Sequence, residues 1–340
     1  MINYLLCCDW GTSSFRLRLI DGATYELLEE VTGQQGIATV FDAWKNTGEK
    51  NGVSKEQFFR EHLKRQIEGL AGKAAQSLDQ IPVTVSGMAS SSIGMEEIPY
   101  ATLPFAMDGS RASVRHFEAD ETFPHELLLI SGVQSQEDVM RGEETQLIGL
   151  AALLDQEGQR PSDAIFIFPG THSKHMYVRG GQLLNFETYM TGEVFKLMAT
   201  HSILKDSVDL RSLSDFSAGN LAAFRAGVQE ADSALLNRLF TVRTNQLFKK
   251  INKQQNAFYL SGLLIGAELK PLRAKENWQL VLCSGTNLFP FYQQAITDLK
   301  LVDRTTFIPA EVIDQAAVVG QVILFQNQHS NVSVYRNESD

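Results

Sequence analysis

The sequence predicts an α/β protein built as a duplication, two lobes of like design, and three observations carry that reading. Short apolar runs of strand length alternate with longer segments of helical period through both halves of the chain. A turn of one make-up occurs twice in register: Gly11-Thr12 with Ser14, and Gly170-Thr171 with Ser173, 159 residues apart in a chain of 340. That length also suits two domains of about 150 residues each. The lobes are expected over 1–160 and 161–330, with a polar tail over 331–340; the polar stretch 156–162, QEGQRPS, marks the boundary.

Residues 5–20, LLCCDWGTSSFRLRLI, read as a β-hairpin with a small, hydroxyl-rich tip. Residues 36–41, GIATVF, read as a third strand. Phe58, Phe59, Leu63, Ile67, Leu70 and Ala74 recur at helical spacing, which predicts a helix over 54–78 with Ser54 as its N-cap. IPVTVS (81–86) and 127–132 are buried strands, and 143–154 is a helix with Leu147, Leu150, Ala151 and Leu154 on one face. The second half opens on another hairpin, IFIFPGTHSKHMYV (165–178), followed by a strand at LLNFETYM. Residues 191–256 read as a helical insertion. Then come a strand at 279–284, a helix at 289–299, a strand at 304–308, a helix at 314–325 and a frayed polar end from 326.

A net charge of −10 without any basic run argues against nucleic acid or an anionic membrane as partner. Any phosphate site must be built locally, from backbone dipoles and single cations. Cys7, Cys8 and Cys283 all lie in apolar runs and read as buried thiols; Cys7 and Cys8 would face opposite sides of one strand. The chain opens directly on a strand, without a signal-like leader, and no apolar run is long enough to span a bilayer, so the cytoplasm is the expected compartment.

The chemistry is expected at the turns and at one helix start. Gly11, Thr12, Ser13 and Ser14 form a tip that lets backbone N–H groups and hydroxyls approach a phosphate, and Gly170, Thr171, His172 and Ser173 form its counterpart. His172 reads equally as a plain turn residue, His175 as structural, and Lys174 as either solvent-facing or phosphate-binding. Asp9, ending the first strand, is placed to hold a hydrated Mg²⁺. DVMRGEETQLIG (138–149) offers the catalytic base at a glycine-preceded helix start: Glu143 first, with Glu144 and Asp138 as rivals. Arg16 and Arg141 are candidates for gripping a substrate carboxylate, although Arg16 alternates with apolar residues as a solvent-facing strand residue would. The segment 86–100, SGMASSSIGMEEIPY, lacks the context of a P-loop; Ser90, Ser91 and Glu97 could hydrogen-bond a polyol from it. Gly285, Thr286 and Asn287, between a strand and a helix, form a turn on which a nucleotide could lie.

Paired phosphate hairpins in two halves resemble the layout of the superfamily of sugar kinases, actin and heat-shock chaperone ATPases. More narrowly, DWGTSSFR (9–16), GMASSSIGMEEIPY (87–100), DVMRGEETQ (138–146), PGTHSK (169–174), MTGE (190–193) and YLSGLLIGAE (259–268) resemble the 2-dehydro-3-deoxygalactonokinase family. Met95 departs from the tryptophan that family pattern leads one to expect. The resemblance implies an actin-like ATPase (ribonuclease H-like) fold with two lobes around a nucleotide cleft. It also implies ATP and Mg²⁺, and phosphorylation of the C6 hydroxyl of 2-dehydro-3-deoxy-D-galactonate in galactonate breakdown. The competing expectations are an exopolyphosphatase-like hydrolase of the same superfamily and a non-catalytic actin-like nucleotide-binding protein. Sugar stereochemistry is left open, as is the choice between monomer and homodimer.

Overall fold

The computed structural model describes residues 3–74, 76–211, 213–231 and 234–337, with side chains to residue 329. Close backbone contacts group the chain into two units: residues 1–160, 181–185 and 312–340 in the first, and 161–180 and 186–311 in the second.

Unit one begins with β1 (Tyr4–Trp10), β2 (Phe15–Asp21) and β3 (Leu27–Gly33), followed by α1 (Ile37–Ala43) and α2 (Lys55–Ala71). It continues through β4 (Val83–Gly87), β5 (Ala101–Thr102), β6 (Phe105–Ala106), β7 (Val114–Phe117), β8 (Leu127–Ile130), β9 (Val133–Gln134), β10 (Val139–Met140) and α3 (Glu143–Gln156). Its main sheet has the order β3-β2-β1-β4-β8-β7. The β1–β2 and β2–β3 pairs are antiparallel, while β1–β4 and β4–β8 are parallel.

Unit two is built from β11 (Asp163–Phe168), β12 (Ser173–Arg179), β13 (Gln182–Tyr189), α4 (Thr191–His201), α5 (Ala218–Glu230), α6 (Leu235–Leu247), α7 (Lys253–Leu269), β14 (Gln279–Cys283), α8 (Phe289–Asp298) and β15 (Thr305–Ile308). The first residues of β13 group with unit one. The strand order β13-β12-β11-β14-β15 repeats the order β3-β2-β1-β4-β8 of unit one, with β11–β12 antiparallel and both β11–β14 and β14–β15 parallel. The duplication seen in the two turns is therefore a duplication of whole sheets.

The first helix and the last differ most from the sequence expectation. Residues 37–41 belong to a helix, α1, with Gly36 as its N-cap, rather than to a strand. Ile37 and Val40 are its buried residues, so a β-branched run that resembles a strand is in fact one helical face. The third strand is instead β3, LLEEVTG, whose residues are all exposed or half-buried and carry no apolar run. The last helix, α9 (Ala310–Asn337), is much longer than 314–325 and runs through the stretch expected to be a polar tail. From Val312 on it groups with unit one, not with the second half that encodes it. Residues 338–340 lie outside the described residues.

The sheet of unit one is covered on both faces. Phe59, Leu63, Ile67 and Leu70 of α2 pack with Leu6, Cys8, Trp10 and Leu17 on one side. Val318, Val322 and Phe325 of α9 pack with Leu5, Cys7 and Ile20 on the other. Cys7 and Cys8 thus face opposite ways, and all three cysteines are free and buried. Ser54 caps α2 through the amide of Gln57, and the helix ends at Ala71, earlier than its apolar spacing predicts. Among the described residues no helix is long and apolar enough to cross a membrane.

Within unit one α3 and α9 cross at backbone distance. A Cβ on Gly149 would lie 1.8 Å from the Ala316 carbonyl oxygen, and one on Gly320 would lie 2.0 Å from that of Thr145. α9 also packs on the sheet, so it cannot yield without disturbing those contacts. Gly320→Ala should therefore destabilise the protein by about 1–3 kcal/mol, read as a lowered thermal midpoint. A midpoint equal to wild type would refute the close crossing.

Candidate active site

The two turns are held by the same local device. In unit one the amides of Ile37 and Ala38, at the start of α1, donate to the carbonyls of Gly11 (3.0 Å) and Thr12 (3.1 Å). In unit two the amide of Glu193, at the start of α4, donates to the carbonyl of Thr171 (3.0 Å). Each helix starts beside a glycine pressed against its turn. A Cβ on Gly36 would meet the Thr12 oxygen at 2.4 Å, and one on Gly192 the Gly170 oxygen at 2.5 Å. Carbonyl oxygens would repel a phosphate; here those of Gly11, Thr12 and Thr171 are taken up by helix amides. Thr12, Ser13 and Ser14 are exposed, as are Thr171 and His172.

Asp9 and the start of α3 lie together in unit one. Asp9 is half-buried at the end of β1, opposite Arg16 of β2 and Ser86 of β4 in the strand register. Burial pushes its carboxyl above the ordinary value; the guanidinium groups of Arg16 and Arg18 pull it back, and the carboxylate of Glu143 adds to the rise. Gly142 precedes α3 with φ of 102°, a conformation that favours glycine. This turn directs the two acids of the first helical turn differently. Glu143 is half-buried. Glu144 is 2 % exposed; its Oε2 accepts from the Gly142 amide (2.7 Å) and its Oε1 from the Thr145 hydroxyl (2.9 Å). Burial, reinforced by Glu143, pushes the Glu144 carboxyl up to about 7. Glu144 thus caps its own helix start, while Glu143 is the acid felt by both neighbours. Asp138 sits in the β9–β10 turn, where its Oδ1 accepts from the Val139 amide at 2.7 Å.

Other expected contacts resolve differently. Arg141 stacks on Tyr100 (4.0 Å from atom to ring centre); its Nε donates to the Tyr100 hydroxyl (3.0 Å) and its Nη1 to the carbonyl and hydroxyl of Ser90 (2.5 and 2.6 Å). It ties the 86–100 loop to α3. Ser90 and Ser91 are buried, and the Ser91 hydroxyl donates to the Met88 carbonyl (2.7 Å), so these two hydroxyls close the loop on itself rather than face a polyol. Glu97 is exposed, and Met95 is buried in the core. Arg16 lies 3.6 Å from Glu30 and 3.9 Å from Asp314, with 42 % of its side chain exposed.

In unit two, Ser173 is fully buried and its hydroxyl donates to Glu268 (2.7 Å), so it does not share the exposed setting of Ser14. Lys174 is buried too, rather than solvent-facing, with its ammonium 3.2 Å from the His172 carbonyl. His172 Nε2 lies 2.6 Å from the Glu193 carboxylate. Beside the turn is a cavity of about 90 Å³, lined by Gly170, Thr191, Phe195, Leu264, Leu288 and Phe291 among others. Gly285, Thr286 and Asn287 are exposed just before Leu288, with open space above Gly285. The sequence did not announce this cavity, because its walls come from five separated segments.

The model of the 2-keto-3-deoxy-galactonokinase family matches residues 9–319. The chain belongs to this family. It is therefore a sugar-acid kinase, a phosphotransferase with an alcohol acceptor. The 2-dehydro-3-deoxygalactonokinase of Escherichia coli K12 is 29 % identical over 300 residues, which cover 85 % of this chain and 88 % of that one. A probable 2-dehydro-3-deoxygalactonokinase of Rhizobium meliloti 1021 is 32 % identical over 279 residues, 78 % of this chain and 79 % of that one. A crystal structure from Sinorhizobium meliloti, described as a candidate 2-dehydro-3-deoxygalactonokinase, superposes with a TM-score of 0.72 at 27 % identity, covering 94 % and 95 % of the two chains. The ADPNP-bound activator of 2-hydroxyisocaproyl-CoA dehydratase from Clostridium difficile, at TM-score 0.50 and 12 % identity over 97 % of each chain, shares the fold. The fold of this kinase is the actin-like ATPase fold.

The raised carboxyl of Glu144 has a measurable consequence. As pH rises from its ordinary 4.5 towards about 7, the unfolded chain gives up this proton while the folded kinase keeps it. Stability contributed by this group is therefore greatest at the acid end of that window and falls as pH rises. Glu144→Gln should flatten the fall in thermal midpoint between pH 5 and 7 (roughly the span between the two values). An unchanged slope would remove Glu144 as its source.

Proposed function

We propose that this kinase transfers the γ-phosphoryl group of ATP to the C6 hydroxyl of 2-dehydro-3-deoxy-D-galactonate, in the cytoplasm, as a step of galactonate breakdown. The observation that carries the site assignment is the pairing in unit one of Asp9 with Glu143, two half-buried carboxylates close enough for one to raise the other. The names of the matched relatives support the choice of sugar acid.

In this reading Glu143 accepts the proton of the attacking hydroxyl, while Glu144 fixes the helix start from which Glu143 projects. General-base help of this kind contributes roughly 10²–10⁴-fold. In unit one the turn 11–14 offers backbone N–H groups to phosphate; in unit two the turn 170–172 does likewise, and the apolar cavity beside Gly170 takes the base of the nucleotide. Arg16, whose ion pairs are long and partly exposed, is free to exchange them for the substrate carboxylate, a contact a guanidinium fork makes bidentately. Asp9 suits Mg²⁺: its carboxyl is driven towards the neutral form by burial, a cost that a cation would relieve. Among the described residues no group of three or more His, Cys, Asp or Glu could hold a metal by itself. That fits an ion held by a single carboxylate together with phosphates and water. Asp9 would hold Mg²⁺, which would supply neutralisation of phosphate charge, and Glu143 moves the proton.

ADP release measured across a panel of aldonates and 2-dehydro-3-deoxy-aldonates should show turnover with 2-dehydro-3-deoxy-D-galactonate; silence with that compound would sink the substrate assignment. Asp9→Asn should lower kcat sharply while the protein stays folded, and near-normal kcat at saturating Mg²⁺ would remove Asp9 from the metal role. Glu143→Gln should lower kcat by about 10²-fold or more with little change in ATP affinity. If Glu144→Gln does this instead, the base is one residue further along.

A further inference from the structure

Glu268, the penultimate residue of α7, is 2 % exposed and accepts hydrogen bonds from four residues on three elements of unit two, β12, α4 and α8. Its Oε1 accepts from the hydroxyl of Ser173 (2.7 Å), which directly follows the turn, and from Nε2 of His175 on β12 (3.1 Å). Its Oε2 accepts from the Tyr292 hydroxyl on α8 (2.7 Å) and from the Thr191 hydroxyl at the start of α4. Thr191 and Tyr292 also line the cavity beside Gly170. One buried carboxylate behind the cavity thus pins the end of the second turn, the helix start that receives that turn's carbonyl, and a tyrosine of the wall.

We infer that Glu268 is a positioning residue for the nucleotide: it fixes the second turn and the apolar cavity in one arrangement before ATP arrives. The inference rests on the reading of unit two as the part that takes the nucleotide. A buried carboxylate is costly unless its lone pairs are filled. Four donors on two oxygens fill them, and no donor can turn away without leaving charge uncompensated. Removal of the carboxylate frees three hydroxyls at once. Ser173 then retains only the Phe168 carbonyl at 3.3 Å and the Tyr292 hydroxyl at 3.3 Å. Binding would have to order these segments, and the loss would fall on ATP rather than on the sugar acid.

The test starts with the wild-type full chain and a non-hydrolysable ATP analogue, titrated by calorimetry. No binding there would refute the nucleotide reading of unit two and this inference with it. Given binding, Glu268→Ala should raise the analogue Kd and the KM for ATP about tenfold or more, with the KM for 2-dehydro-3-deoxy-D-galactonate within about twofold. Glu268→Gln should recover much of the loss, because its carboxamide keeps an acceptor and the facing hydroxyls can reverse. An unchanged ATP KM in folded Glu268→Ala, or an equal rise in both KM values, would overturn the positioning role while leaving the nucleotide reading intact. Should Glu268→Ala fail to fold, Ser173→Ala and Tyr292→Phe each remove one donor. A several-fold rise in ATP KM alone supports the role, and unchanged values for both variants overturn it.

Discussion

Each half of this kinase rests on one contact: a helix start pressed, through a glycine, against the tip of a β-hairpin. Gly36 and Gly192 occupy the two positions, and the amides that follow them reach the carbonyls of Gly11, Thr12 and Thr171. A turn of small residues is otherwise a loose element, since its backbone groups can bond to water as readily as to protein. Bonding its carbonyls to a helix leaves one arrangement. It also separates acceptors from donors, which an anion site built from backbone requires in a chain of net charge −10.

The acids of unit one follow from a second constraint. β1 ends at Trp10, one residue past Asp9, and α3 starts at Glu143 after a glycine with positive φ. Glu143 therefore lies within electrostatic reach of both Asp9 and Glu144, and burial separates their behaviour: Glu144 is driven up, Asp9 is lifted but offset by two arginines, and Glu143 supplies part of the push on both. Gln321 of α9 anchors the strand ends beneath them, donating to the Cys8 carbonyl (2.8 Å) and the Ser86 hydroxyl (2.6 Å). Cys8 directly precedes Asp9, and Ser86 is its register partner on β4.

Much of this was legible in the sequence. The repeated Gly-Thr turn, the alternation of strands and helices, and Ser54 as a cap all reflect local rules, and local rules are what a sequence displays. What escaped depends on distant partners. β3 has no apolar pattern because its residues stay exposed or half-buried, so it looks like a loop, while α1 buries only Ile37 and Val40 and looks like a strand. Ser14 and Ser173 are equivalent in sequence but not in surroundings: the first is exposed, and the second is claimed by Glu268, 95 residues away. Glu268 itself carried no signal beyond its place in a run shared with the family, because a single acid in an apolar helix does not name its partners. Ser90 and Ser91 read as candidates to hydrogen-bond a polyol, whereas in the fold Arg141 and the backbone of their own loop engage them.

The last helix carries a consequence for synthesis. Gln321 bonds to Cys8 across 313 positions of sequence, and Val318, Val322 and Phe325 cover one face of strands synthesised long before them. The sheet of β1 and β2 is therefore made long before the helix that covers this apolar side. That side waits for α9 to be made, a long-range closure of the kind that slows folding and invites chaperone capture. A nascent chain stalled before residue 312 would hold its first acid and its first turn on an unfinished layer.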